Sequence, residues 1–329
     1  MKRRGALLAI LSLGVAGPLY SHAQQPGRAY RVGLFLGGTS TAVARQRKAI
    51  VDRLATHGFV EGRNLQVELR IGNFSRSIDR DLARALVALR PDAILAYSTA
   101  LALRTREATS TIPIVFTGVA DPIGSGLVKN IARPGGNATG IYFFQLEIGA
   151  KRLELLRELL PGARRVVMAG VGIPDLAETV PRLRQVASQL GFELIEISTS
   201  LIHGFVDTLG VAAKAKPEAV ISGEPWAIYG MEHVAQQIIQ FASDQRIPSV
   251  FWESEMAERG ATLTYGVNLT KELGRAADQL ARVLKGAKPA ELPVDQATNY
   301  ELVVNMKSAK ALGITIAPSI LVRADRVIE

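Results

Sequence analysis

Short apolar runs alternate with segments of helical periodicity along the first half of the chain. Four runs are continuously apolar or alternate between apolar and polar residues, which predicts strands at residues 30–36, 65–71, 93–97 and 114–116. Between them, apolar residues recur every three to four positions, which predicts helices at residues 42–57 and 78–89. Strands separated by helices indicate βαβ units and a parallel sheet that is covered on both faces.

The same order of patterns begins again in the second half of the chain. It predicts helices at residues 148–160 and 176–190, and strands at residues 165–169 and 192–197. Three pairs of short segments match across the halves, each at the same stage of its half: Arg90-Pro91-Asp92 with Lys216-Pro217-Glu218, Thr111-Ile112-Pro113 with Arg246-Ile247-Pro248, and Gly58-Phe59 with Gly191-Phe192. One match alone would carry no weight, because a basic residue, a proline and an acid precede many strands. Three matches in the same order favour an internal repeat.

These patterns predict an α/β protein with two doubly wound parallel-sheet lobes joined by a hinge. The first lobe covers residues 28–142 and the second covers residues 143–270, while residues 271–329 form crossover helices and a C-terminal segment that packs across the lobes. Ligands of open parallel sheets bind beyond the carboxyl ends of the strands. In two lobes that face each other, those ends line one shared cleft, which closes around a ligand by a hinge motion.

The N-terminus has a different pattern, which is typical of a cleavable signal peptide. A cationic start at residues 2–4 precedes a small apolar stretch at residues 5–16, and the small residues Ser21 and Ala23 suit a cleavage site. The predicted signal peptide therefore covers residues 1–23, and a buried N-terminal strand or helix is the alternative. No later apolar run approaches the roughly 20 residues that cross a bilayer, so we expect a protein released into the periplasm.

The composition indicates which kinds of attachment and partner to expect for the exported chain. It contains no cysteine, so it forms no disulfide and has no cysteine for N-terminal lipid attachment. The formal net charge is +9, but the basic side chains are spread along the chain without a run of five or six. A protein that binds nucleic acid more often concentrates them on one element, so no nucleic-acid partner is expected. We expect a free monomer with a solvated basic surface that favours anionic partners.

The motifs of common enzyme classes are absent from the sequence. The four histidines, at positions 22, 57, 203 and 233, never share a helical turn, so no metal cluster can be built from them. The sequence has neither a G-x-S-x-G nucleophile motif nor a P-loop. We therefore expect no catalysis, no metal and no cofactor. A secreted α/β enzyme is the less favoured alternative, since it needs a nucleophile and a base in the cleft.

Polar and aromatic residues just after the predicted strands, or where the lobes join, are the candidate ligand contacts, because they lie at the sheet edge that faces the cleft. They are Thr39, Ser40, Ser98, Thr99, Thr117, Asp121, Tyr142, Glu224, Trp252 and Glu253. Hydroxyls and backbone N–H groups at helix N-termini suit a carboxylate, and an acid from the opposite lobe suits an ammonium group. Structural alternatives exist: Ser98, Thr99 and Asp121 can cap helices, Trp252 can belong to the core, and Tyr142 can belong to the hinge core. The two glutamates can be solvated.

Five segments distributed over the chain carry a specific family resemblance. They are residues 58–64, 111–116, 121–140, 309–319 and 323–328, of which residues 121–140 and the C-terminal segments are the most specific. They resemble the substrate-binding proteins of the tryptophan/tyrosine-type ABC transporter family. The resemblance implies a type I periplasmic-binding fold, capture of an aromatic amino acid or similar small solute, delivery to a membrane permease with its ATPase, and no catalysis.

The resemblance also implies roles for individual residues. By the logic of amino-acid binders of this fold, Ser98, Thr99 and Thr117 hold a ligand carboxylate and Glu253 holds its ammonium group. Similar proteins often read Gly-Val-Asp-Tyr near the cleft, where this chain reads Gly266-Val267-Asn268-Leu269. The expected function is the periplasmic solute-binding component of an ABC uptake transporter. A receptor subunit of the same fold, which presents a ligand to a membrane sensor without transport, is the alternative from another class.

Overall fold

The computed structural model describes residues 28–73, 75–143, 145–171, 179–198, 205–222 and 232–329. The predicted signal peptide and the candidate contact Glu224 lie outside these residues. Within them, no helix has both the length and the hydropathy that crossing a membrane requires.

The first lobe contains five parallel strands with helices between them. The strands are β1 (Tyr30–Gly37), β2 (Leu65–Gly72), β3 (Ala93–Tyr97), β4 (Ile114–Val119) and β5 (Ala138–Tyr142). The helices are α1 (Ser40–Thr56), α2 (Arg76–Ala88) and α3 (Thr99–Ala108). The strands lie in the order β5-β4-β3-β1-β2, so α1, α2 and α3 each connect two parallel strands of one sheet.

The second lobe repeats this arrangement. Its strands are β6 (Arg165–Val171), β7 (Glu193–Ser198), β8 (Ala219–Ser222), β9 (Ser249–Phe251) and β10 (Leu263–Val267). Its helices are α4 (Gln145–Leu159), α5 (Thr179–Gln189), α6 (Phe205–Lys214), α7 (Glu232–Asp244) and α8 (Glu255–Glu258). The order β10-β9-β8-β6-β7 is that of the first lobe with every strand number raised by five. The predicted α/β fold class, with two doubly wound lobes, is therefore confirmed.

The chain crosses between the lobes three times. It leaves the first lobe after β5 and returns to it after β10. The returning segment contains α9 (Leu269–Leu284), a 3₁₀ helix (Pro289–Glu291) and β11 (Asp295–Gln296), and β11 pairs with β5. It then ends in the second lobe as β12 (Tyr300–Asn305), α10 (Met306–Ala311), α11 (Pro318–Arg323) and β13 (Arg326–Ile328). Strand β12 runs antiparallel to β10, because the chain enters the second sheet from the first lobe at this point.

Helix α9 belongs to the core of the first lobe although it follows a strand of the second. Its residues Leu273, Ala277 and Leu280 recur at helical spacing and share one buried cluster with Ile50 and Leu54 of α1. This buried apolar contact holds the returning segment against the first lobe.

Backbone conformation repeats between the lobes at the matched sequence positions. The glycines that follow α1 and α5 are both left-handed, with φ of +90° at Gly58 and +76° at Gly191. The two non-glycine residues Arg90 and Lys216 are left-handed as well, with φ of +50° and +51°. A left-handed residue after a helix redirects the chain, so the matched segments end equivalent helices and set the start of equivalent strands.

An acidic residue ties the start of a strand to its neighbour in each lobe. Asp92 Oδ2 accepts a hydrogen bond from the backbone N of Arg31 at 2.8 Å, and Glu218 Oε2 accepts from the backbone N of Arg165 at 2.9 Å and of Arg164 at 3.0 Å. These backbone hydrogen bonds, first that of Arg165, hold the pKa of Glu218 below its ordinary value of 4.5. The acid of the matched segments is therefore a structural element of the repeat.

The lowered pKa of Glu218 predicts a modest acid sensitivity. A carboxyl with a depressed folded-state pKa stabilises the fold fully above its unfolded-state pKa, and this contribution is lost as the pH falls through the folded-state pKa. We expect Glu218→Gln to be less stable than the parent protein at neutral pH, with a difference that shrinks below about pH 4.5. Denaturant unfolding at a series of pH values measures this difference. A difference that is independent of pH contradicts the role given to the charge.

Candidate ligand-binding cleft

A cavity of about 790 Å³ lies between the two lobes. The first lobe contributes residues from α3, from the segment after β4 and from the end of β5, namely Thr99, Leu103, Ala120, Asp121, Pro122, Ile123, Gly124, Ser125, Ile131 and Tyr142. The second lobe contributes Leu146, Thr179 and Arg182. The volume falls within the roughly 300–1,000 Å³ of typical small-molecule sites, so the cavity can hold a solute that contacts both lobes.

The N-terminus of α3 supplies polar groups to this cavity. Ser98 has a left-handed backbone with φ of +80°, its N–H donates to the carbonyl of Thr117 at 2.8 Å, and its Oγ accepts from the N–H of Leu101 at 3.4 Å. A serine in this conformation is strained, and the cap hydrogen bond holds it there. Thr99 follows, is only 5% exposed and lines the cavity, with its Oγ1 accepting from the N–H of Ala120 at 3.4 Å.

A tight turn forms the next part of the first-lobe wall. Asp121 Oδ1 accepts from the N–H groups of Ile123 at 3.0 Å and Gly124 at 2.7 Å, and the Asp121 carbonyl accepts from the N–H of Ser125 at 3.1 Å. A Cβ on Gly124 would lie 2.1 Å from Asp121 Oδ2, so a side chain at this position would displace the carboxylate. The charge of Asp121 is thus partly engaged by the turn that presents it to the cavity.

The second-lobe wall is set by the packing of α5 against α4. A Cβ on Gly149 would lie 2.6 Å from Leu183 Cδ2, so the missing side chain lets α5 approach α4 closely. Thr179 and Arg182 are three residues apart on α5 and therefore share a helix face, which is the face that lines the cavity. Arg182 makes no ion pair or hydrogen bond with any residue that the structure describes.

A second cavity of only about 100 Å³ lies between α1 and the segments that follow β9 and β10. Glu253 lines it, and the ion pair between Arg45 Nη1 and Glu255 Oε2, 2.8 Å apart, connects the lobes at its edge. Asn268 also lines it, but the Asn268 Oδ1 caps α9 by accepting from the N–H of Lys271 at 3.1 Å. This cavity has room for a few water molecules but is smaller than typical solute sites.

The structure divides the sequence-predicted contacts among several environments. Thr99, Asp121 and Tyr142 line the large cavity, and Glu253 lines the small one. Of the others, Thr39 caps α1 by accepting from the N–H of Ala42 at 3.3 Å. Thr99 and Glu253 line different cavities, and the carboxylate and ammonium roles expected of them stay predictions.

Five other candidates line neither of the two cavities or lie outside the described residues. Ser40 is exposed at the start of α1, and Ser98 and Thr117 are buried. Trp252 is only 3% exposed and packs in the core cluster that also contains α9. Glu224 lies outside the described residues. The ligand-binding roles of all ten candidates stay predictions.

The sequence analysis missed the second-lobe contacts of the large cavity. Arg182 and Thr179 do not directly follow a strand, because residues 172–178 separate α5 from β6. Leu103 and Leu146 are apolar and lie on helices, away from the strand ends at which the sequence analysis placed its candidate contacts. The i, i+3 spacing of Thr179 and Arg182 on the polar face of a predicted helix after a strand was the available indication.

The described residues contain no group of three metal-ligating side chains placed to hold a metal ion. The polar groups of the large cavity are two threonine hydroxyls, a serine hydroxyl, a phenol, a carboxylate and a guanidinium. This set can bind and orient a solute through hydrogen bonds and charge, with apolar side chains around it.

Two facing doubly wound lobes with a solute-sized cavity between them define a two-lobed binding protein of the type I periplasmic-binding fold. Residues 35–328 match the family of ABC transporter substrate binding proteins. The chain belongs to this family.

Individual relatives agree with this assignment. A tyrosine-binding protein of Clostridioides difficile (strain R20291) is 28% identical over 277 residues, which cover 82% of this chain and 76% of that protein. A Streptococcus pneumoniae ABC domain solved in complex with L-Trp has 25% identity and a TM-score of 0.80, covering 91% of this chain and all of that chain. A conserved domain protein from Vibrio cholerae has 27% identity and a TM-score of 0.81 over the same shares.

Proposed function

We propose that this protein captures a small solute in the large cavity between its lobes and delivers it to an ABC permease and its ATPase. The observation that carries the proposal is the 790 Å³ cavity, whose walls come from both lobes. A solute held there contacts the first lobe through α3 and the second through α5. Its binding energy therefore favours the arrangement in which the lobes face each other closely.

The apolar share of the lining indicates the kind of solute. Leu103, Ile131 and Leu146 surround the cavity together with Ala120 and the ring of Tyr142, whose hydroxyl donates to Gln296 Oε1 at 3.3 Å. Such a lining buries an apolar body, while the few polar groups orient it. The relatives bind tyrosine and L-Trp, which fit this description. We propose a solute of similar size with an apolar body.

The cellular location and the oligomeric state of the protein are part of the same proposal. The family works with membrane transporters, and the sequence of residues 1–23 reads as a signal peptide without a cysteine for lipid attachment. We propose that the mature protein acts in the periplasm as a free monomer.

Filling the cavity tests the proposed binding site. Leu103→Trp places a larger ring into the cavity from α3, so we expect the affinity for the solute to fall at least tenfold, or about 1.4 kcal/mol. Leu103→Met conserves volume and is the matched control, with affinity close to that of the parent protein.

Affinities follow from titration calorimetry with a solute found by a thermal-shift screen of amino acids, aromatic acids, sugars and nucleosides. A solute at 100 times its dissociation constant adds about 2.7 kcal/mol of stability, which shifts unfolding by several degrees. Equal affinities of the tryptophan and methionine variants would place the site elsewhere. Absence of any stabilising solute would contradict solute capture.

A further inference from the structure

We propose that Arg182 of the second lobe is the counterion of a carboxylate on the solute, so that the cleft selects organic carboxylates with an apolar body. The proposal deepens the proposed function and rests on it, because it assigns the chemical class of the solute and the residue that recognises it. It also reverses the expectation that the second lobe contributes an acid to the ligand.

The first argument is the state of the Arg182 side chain. It lines the large cavity, is exposed, and makes no ion pair or hydrogen bond with any described residue. Arg184 lies two residues further on the same helix and already has a partner, since its Nη2 lies 2.6 Å from Glu196 Oε1. A guanidinium presents N–H donors in a planar fork that matches a carboxylate in bidentate geometry. Arg182 therefore offers this fork to whatever occupies the cavity.

The second argument is the balance of charge around the cavity. Among the described lining residues, Asp121 is the acid that accompanies Arg182, and its Oδ1 already accepts from two backbone N–H groups of its own turn. Those two N–H dipoles reduce the negative potential that Asp121 projects into the cavity. The guanidinium has no comparable compensation, so the described lining favours a negatively charged group.

The third argument is the donor on the opposite wall. Thr99 Oγ1 accepts from the N–H of Ala120, so its hydroxyl hydrogen is available to donate into the cavity. Thr99 is also the first residue of the ten-residue helix α3, where the helix dipole favours an anion. A carboxylate between Thr99 and Arg182 would receive donors from both lobes. The negative charge of the carboxylate would thus favour the arrangement in which the two lobes lie close together.

Matched ligands and matched variants test the assignment. The probes are 3-phenylpropionate, L-phenylalanine, the neutral 3-phenylpropanamide and phenethylamine, which differ in the carboxylate and the ammonium group but share the apolar body. The panel is extended by indole and hydroxyphenyl carboxylates with their carboxamides. We expect a carboxylate to bind the purified full protein at least tenfold more tightly than its carboxamide, and this preference to weaken at high salt.

The variants distinguish the effect of the Arg182 side chain from the effect of removing a positive charge elsewhere on α5. Arg182→Gln is expected to lose at least tenfold in affinity for the carboxylate and to bind carboxylate and carboxamide equally. Arg182→Lys, which keeps the charge but loses the bidentate fork, is expected to lie between them. Arg184→Gln removes the same charge from the same helix away from the cavity, so it is expected to keep the parent affinity.

The outcomes are distinguishable from a failure of the proposed function. Equal affinity of Arg182→Gln and Arg184→Gln for the carboxylate overturns the assignment of Arg182. Tight binding of a carboxamide, an amine or an uncharged sugar that is abolished by Leu103→Trp overturns the carboxylate proposal alone and leaves solute capture in this cleft intact. Binding that Leu103→Trp does not affect, or no binding by any compound, overturns both.

Discussion

Replacing Glu272 by alanine is expected to lower the free energy of unfolding by about 3–5 kcal/mol, because it removes a buried charge that several groups depend on. The side chain is 0% exposed. Its Oε1 accepts from the N–H of Thr298 at 3.2 Å, and from the N–H and Nδ2 of Asn299 at 3.0 and 2.6 Å. Its Oε2 accepts from Arg275 Nη1 at 2.8 Å. The alanine variant takes this acceptor away from the partly buried donors, of which Arg275 Nη1 keeps the carbonyl of Gln296 at 2.9 Å.

The position of Glu272 gives this loss a functional consequence. Glu272 lies in the first turns of α9, just after the second crossing, and the residues it binds lie just before β12, in the third crossing. The two crossings also contact each other directly, since the N–H of Asn268 donates to the carbonyl of Asn299 at 2.7 Å. Glu272 therefore holds together two of the three crossings by which the chain joins the lobes. We expect the alanine variant to bind its solute more weakly as well.

The control for this prediction is Glu272→Gln. The amide keeps an oxygen acceptor for the backbone donors but loses the charge opposite Arg275, so we expect a smaller loss of stability than for alanine. Denaturant unfolding compares the three proteins at neutral pH. An alanine variant as stable as the parent protein would show that the carboxylate is not needed to hold the crossings.

Gly266→Ala is expected to lower the stability by about 3 kcal/mol or more, or to prevent folding, because the new methyl group has no space. A Cβ at this position would lie 1.9 Å from the carbonyl oxygen of Trp252 and 2.7 Å from its carbonyl carbon. The obstacle is backbone, and β10 is held between β9 and β12, so neither strand can move aside without breaking the sheet. The glycine lets the ends of β9 and β10 approach beside the small cavity.

Gly274→Ala is the matched control for Gly266→Ala. Gly274 lies inside α9 and its Cβ would meet nothing nearer than Arg53 Cγ at 4.0 Å. An alanine there is expected to raise the stability by about 0.5–1 kcal/mol, because glycine weakens a helix interior. Soluble yield and denaturant midpoints of both variants measure the contrast. Two variants with equal stability would show that the close approach at Gly266 is not limiting.

The large cavity, rather than the strand ends in general, is the solute-binding site that we propose. The small cavity already holds the Arg45–Glu255 ion pair and the cap of α9, so its polar groups serve the contact between the lobes. In the large cavity, polar groups of both lobes point at open volume. This difference supports the large cavity as the proposed binding site.

The sequence determined the central strands and the repeated order of the lobes. β1, β3 and β4 are buried on both faces, so their apolar runs are continuous and can be recognised without knowing their neighbours. The repeated Pro-acid segments were recognisable too, because a left-handed helix end and a carboxylate on a neighbouring strand impose residue types locally. In the same way, Thr99 and Asp121 were predicted as candidate contacts because each follows a strand of the first lobe, and Tyr142 because it lies where the lobes join. All three line the large cavity.

Only the tertiary structure decided the remaining features. β11 and β13 have two and three residues, and such short strands exist because a partner strand is already present to pair with them. Trp252 follows β9, and the sequence allowed either a cleft wall or the core. In the structure it is buried in the cluster that also contains residues of α1 and α9. Arg182 reaches the cavity because α5 packs on α4 at Gly149, a contact between residues distant along the chain. Local patterns specify a strand or a helix, but which side chains face a shared cavity depends on how separate elements pack.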